Sequence, residues 1–95
     1  MTAMFRTPWL NKSKVLSDEG FYVEIGRDWL VYQRGDRRMT MTCDVGGPEI
    51  NVFTDTANRW DDDPSVEVDE QTRSTILNDV TRALEWRGLQ VRLLP

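Results

Sequence analysis

Histidine is absent from this chain, and cysteine occurs once, at Cys43. The missing imidazole removes the commonest general base, the usual partner of Ser and Cys nucleophiles and the commonest zinc ligand. Most hydrolase chemistry is excluded with it. One cysteine cannot close an internal disulfide, and its place in the alternating run Met39-Thr40-Met41-Thr42-Cys43 reads as a core thiol, pointing to a reducing cytoplasm. No apolar run is long enough to span a bilayer. The first residues, Met1 to Pro8 and then Asn11 to Lys14, lack the continuous apolar stretch of a signal peptide. Internal repeats and low-complexity segments are also missing.

What is present suits a small folded protein. Hydrophobic residues make up 39% of the 95 residues, with four Trp, three Phe and two Tyr, which is too much apolar material for a disordered tail. This length builds one core, so residues 1–95 are expected to form one domain.

Residues 1–12 follow no settled period and contain Pro8, so they read as a mobile arm or a loosely docked first segment, with Phe5, Trp9 and Leu10 as the side chains available for packing. From Phe21 to Ile25, apolar residues alternate with Tyr22 and Glu24, the period of a half-buried strand. A turn at Gly26 to Asp28 leads to a second strand, Trp29 to Arg34, in which Trp29 is expected in the core. Gly35-Asp36 is a two-residue hairpin connection. The third strand, about Arg38 to Asp44, turns Met39, Met41 and Cys43 to one face and Thr40, Thr42 and Asp44 to the other. Gly46-Gly47-Pro48 ends it, and a fourth strand runs from Glu49 to Thr54. The period then lengthens to about 3.6. Ile76, Val80, Ala83, Leu84 and Arg87 make one helical stripe, flanked by Leu77, between a cap at Asp69 and a stop at Gly88. Leu89, Val91 and Leu93 alternate again as a closing strand. The expected class is α+β: an antiparallel meander with one C-terminal helix packed on it and a final strand, four to five strands in all.

Charge is distributed unevenly. Glu49 to Glu70 holds eight carboxylates and one base, Arg59, a local balance of −7, while the remainder sums to +3. An acidic face with a large aromatic beside it suits a positively charged protein partner and repels nucleic-acid phosphates. The partner-binding candidates are Asp55, Arg59, Trp60, Asp61, Asp62, Asp63 and Glu67. Each acid also has a plainer reading as part of a solvated loop before the helix. Trp60 reads equally as a lid on the core, with Arg59 stacked or paired beside it, or as an exposed interface anchor.

Other chemistries fit less well. Adjacent acids in a solvated loop have little reason to acquire the split pKa values of an acid–base pair. The Asp61-Asp62-Asp63 run has neither the alternation nor the Gly of an EF-hand loop. Arg34, Arg37 and Arg38 cluster at one hairpin tip, where a solvated hairpin is a better reading than a phosphate site. No catalytic residue, metal or cofactor is expected.

From the fourth strand onward the chain resembles a small α+β immunity-protein family encoded beside toxins in bacterial polymorphic-toxin and contact-dependent inhibition systems. The resemblance is carried by Ile50-Asn51-Val52-Phe53, by Arg59-Trp60-Asp61 with Pro64, by a helix bearing Arg73, Ile76 and Leu84, and by Gly88-Leu89-Gln90-Val91. It implies a non-enzymatic inhibitor that neutralises a cognate toxin domain, many of which are nucleases with basic clefts. The alternative is a small structural or interaction protein, such as a homodimer, using a sheet edge or the Trp86 face.

Overall fold

The computed structural model describes residues 4–9, 11 and 13–95. Seven strands form one sheet in chain order: β1 (Phe5–Arg6), β2 (Lys14–Ser17), β3 (Phe21–Ile25), β4 (Trp29–Arg34), β5 (Arg37–Gly46), β6 (Glu49–Phe53) and β7 (Gln90–Leu94). One helix, α1 (Glu70–Trp86), lies between β6 and β7. The class is α+β, as the periodicity predicts, but two details differ. Among the described residues there are seven strands, more than the four or five expected, and β7 runs parallel to β6 while the other pairs are antiparallel. The reason for the parallel pair is topological. The helix carries the chain back past the sheet, so the next strand leaves in the direction of β6, as in a strand–helix–strand crossover.

Local chemistry sets the element ends. Gly35 takes φ +62° at the first position of the β4–β5 turn, which pairs Arg34 directly with Arg37. At the start of α1 the Asp69 side chain accepts from the Thr72 N–H at 2.7 Å, and this bond holds its carboxyl below the usual range. The helix ends in a Schellman motif. Gly88, at φ +98°, donates to Glu85 O and Leu89 donates to Leu84 O, both at 3.0 Å.

The core lies between α1 and one sheet face. Ile76, Leu77, Val80, Ala83 and Leu84 from the helix meet Val23, Leu30, Tyr32, Met41, Ile50 and Val52 from the strands, all buried. Met39, Met41 and Cys43 face this core and Thr40, Thr42 and Asp44 face out, matching the sequence alternation. Burial pushes the Cys43 thiol up to about 11, with help from the nearby Asp28 and Asp44 charges, so it is a neutral packing group.

Three expectations are revised. Within residues 1–12, Phe5–Arg6 is an edge strand paired with Leu16 and Ser17, and the Phe5 ring sits 6.2 Å from Phe21 and 6.0 Å from Trp86. Trp9 is exposed, and Leu10 lies outside the described residues. The third revision concerns Trp29, which is 40% exposed. It pairs with the outward Thr42 and covers Gly26, because β4 buries Leu30 and Tyr32 and so turns its odd positions outward.

Candidate protein-binding surface

The acidic segment has a structural task that its composition does not advertise. β5 is long enough to serve two neighbours. Its first part pairs with β4 up to Thr42, and β6 begins pairing only at Cys43. That leaves one side of residues 38–42 without a strand, and backbone groups there need partners. The loop after β6 supplies them. Thr42 N–H donates to Thr56 Oγ1 at 2.9 Å, and Thr40 N–H donates to Asp61 Oδ1 at 3.0 Å. Thr40 Oγ1 donates to Asp61 Oδ2 at 2.7 Å, and Asp61 N–H donates to Arg38 O at 2.7 Å. Asp61 therefore stands in for a strand, and reading it as a simply solvated acid is incorrect.

The loop also braces itself. Asp63 N–H donates to Trp60 O, Val66 N–H to Asp63 O and Val68 N–H to Asn58 O. Arg59 Nη1 donates to Pro64 O at 2.9 Å, so Arg59 closes the loop and does not stack on Trp60. The side chain over Trp60 is Arg37, whose guanidinium carbon lies 4.8 Å from the ring centroid. Trp60 is half-buried, packs against the core and has its ring centroid 6.3 Å from that of Tyr32. Replacing Asp61 with Ala should cost about 1–2 kcal/mol in urea unfolding and speed amide exchange at Thr40. Unchanged exchange at Thr40 would dismiss the strand-substitute role.

What remains facing solvent is strongly acidic. Asp55, Asp62 and Glu67 are exposed, Asp63 is half-buried and accepts from Ser65 Oγ, and the apolar Val66 stands 57% exposed among them. Asp62 meets Arg37 at 3.3 Å, an exposed pair that contributes little to stability. Among the described residues, no group of three or more Cys, Asp or Glu is arranged to hold a metal ion, and no helix is long and apolar enough to cross a membrane.

The hairpin arginines are partly exposed, and each also has protein partners. Arg34 is in phase with Leu30 and Tyr32, and Arg37 with Met39, so both extend the core face, while Arg38 points the other way. Arg34 Nε donates to Tyr32 Oη at 2.8 Å, Nη1 to Glu19 O at 3.1 Å and Nη2 to Asp79 Oδ2 at 2.9 Å. The Tyr32 hydroxyl donates to Asp79 Oδ2 at 2.7 Å, and Arg82 Nη2 donates to Asp79 Oδ1 at 2.7 Å and to Glu19 Oε1 at 2.8 Å. On the opposite face, Arg38 bonds Gln33 and Tyr22. The alternation of β4 and β5 contains the information needed to separate these arginines.

Burial, then the Asp79 bond, pushes the Tyr32 phenol up to about 12. Tyr32 and Cys43 thus hold their protons more tightly folded than unfolded. Their contribution is intact below their ordinary values of 10.0 and 9.0 and is lost as pH rises toward about 12 and about 11. Stability should fall on the order of 2 kcal/mol between roughly pH 9 and pH 11. Urea unfolding across that range measures it, and a flat profile would contradict the burial of both groups.

Between the loop and the first two turns of α1 lies a cleft of about 230 Å³, lined by Tyr32, Arg34, Trp60, Asp69, Gln71, Thr72, Thr75 and Ile76. It brings Trp60, alone among the partner-binding candidates, together with the hairpin residue Arg34, the cap Asp69 and the core residue Ile76, and with Tyr32, Gln71, Thr72 and Thr75. No family model, curated protein or solved structure matches this chain.

Proposed function

We propose that this chain is a non-enzymatic immunity protein that binds and neutralises a basic toxin domain through the surface formed by Asp55 to Glu67. The observation that carries the reading is the bracing of an acid-dense loop. Asp61 is tied to β5 by bonds of 2.7 and 3.0 Å, while Asp55, Asp62 and Glu67 stay exposed. A loop already held in place loses less conformational entropy on binding, and its carboxylates project a fixed negative field. Such a field steers a cationic cleft toward the surface and raises the association rate. Trp60 contributes from beneath, as part of the platform under the acids. A nuclease is a fitting target, since its substrate cleft is already shaped for negative charge.

Testing this requires the product of the reading frame encoded beside this one. Its association with the present chain should slow at least about tenfold between roughly 0.05 M and 0.5 M salt. Asp55→Lys, Asp62→Lys and Glu67→Lys together should abolish protection of cells that express the toxin. These positions avoid Asp61, whose bonds make it unsuitable for charge reversal, and exposed loop charges contribute little to stability. Full protection by the folded triple variant would rule out this surface.

A further inference from the structure

We infer that the cleft beside Trp60 takes one large apolar side chain carried by a basic segment of the partner protein. This inference rests on the binding role proposed for the acidic surface. Size is the first argument. About 230 Å³ lies below the roughly 300–1,000 Å³ of small-molecule sites but accommodates a single bulky side chain.

Chemistry narrows the occupant further. Trp60, Tyr32 and Ile76 give the cleft apolar walls, and several of the polar groups beside them are already engaged. The Tyr32 hydroxyl both donates to Asp79 and accepts from Arg34, and all three Arg34 nitrogens have protein partners. Asp69 Oδ1 is taken by the Thr72 N–H. Asp69 and Gln71 are exposed, so a polar occupant could bond to them but would gain nothing from Tyr32 and Arg34, whereas an apolar one covers the half-buried Trp60 ring. The surroundings specify what flanks it. Arg34 and Asp69 both line the cleft; Arg34 is tied to Asp79, so the exposed acids Glu67, Asp69 and Glu70 favour basic neighbours on their side of it. Interface hot spots favour such pockets, where a large side chain is desolvated and the contacts around it exclude water.

Two synthetic peptides provide the test. Both have the same Lys-Gly framework, one with a central Phe and the other with Ala in its place, and they are titrated into nitrogen-15-labelled protein at low salt. The Phe peptide should shift the amides of Thr72, Thr75 and Ile76 and the indole N–H of Trp60, and bind about tenfold or more tightly than its Ala counterpart. Thr75→Trp, at an exposed helix position lining the cleft, should bring both peptides to the affinity of the Ala peptide. Equal affinities in the unmodified protein, with shifts confined to Asp55 and residues 61–67, would overturn the cleft inference and leave the acidic surface standing. Failure of both peptides to bind would overturn the cleft inference, while the toxin's salt dependence and the triple Lys variant decide the acidic surface separately. The same cleft shifts arising from protein concentration alone would identify a second copy as the occupant and also overturn the inference.

Discussion

Replacing Leu84 with Ala should lower the free energy of unfolding by about 2–5 kcal/mol, with the denaturant slope unchanged. Leu84 is fully buried within the cluster that joins the helix to the sheet. It sits in the last turn of α1, where its carbonyl also receives the Leu89 N–H that closes the helix. Removing the side chain deletes apolar contact and leaves a void between rigid elements, which cannot collapse freely around it. An exposed position of the same helix, Ser74, provides the control. Ser74→Ala should change stability by no more than about 0.5 kcal/mol. A Leu84→Ala loss below about 1 kcal/mol would mean that this face of the helix is not the packed one.

That face was readable from spacing because burial and periodicity coincide there. Ile76, Val80, Ala83 and Leu84 are apolar, helical in phase and buried, and the ends of α1 are marked by residues with local roles. The strands from β3 to β6 were readable for a similar reason, since alternation and Gly-containing turns are local properties. β2 was not, because only Val15 of its four residues is buried and no alternating run announces it. The direction of β7 was equally hidden. Leu89, Val91 and Leu93 identify a strand but contain nothing about whether its neighbour is parallel.

The candidate site divides along the same line. Composition located the acidic segment, and Asp55, Asp62 and Glu67 are indeed exposed. The bond from Asp61 to Thr40 spans 21 residues, and that from Asp79 to Tyr32 spans 47, so neither leaves a trace in short-range patterning. A partial clue was available at Asp79. It falls three residues after Ile76 and four before Ala83, within the buried stripe, where an acid requires a partner. The cations that meet that need come from β4 and from α1 itself.

Asp79→Ala should therefore be the most damaging single change at a polar position, costing about 2–4 kcal/mol. The carboxylate side chain is 5% exposed and accepts from Tyr32, Arg34 and Arg82. Its removal leaves Arg34 beside a buried phenol without its carboxylate partner and Arg82 with Glu19 alone. Because the Arg34 and Arg82 side chains are 43% and 34% exposed, water relieves part of that cost, and the expected value lies below that for a wholly enclosed pair. Asp79→Asn keeps an acceptor and the side-chain volume, so it should cost less than the Ala variant. The damage should also reach the binding surface. Asp79 holds Arg34, Arg34 pairs across the hairpin with Arg37, and Arg37 lies over Trp60 and meets Asp62. Amide exchange at Thr40 and Asp61 should accelerate in Asp79→Ala under conditions where the protein remains folded, while the amides of β7 should be affected less. A cost below about 1 kcal/mol would reduce the network to an ordinary surface ion pair. Unchanged exchange at Thr40 and Asp61 would disconnect it from the acidic loop, leaving Asp61 and the braces within the loop to hold that surface in place.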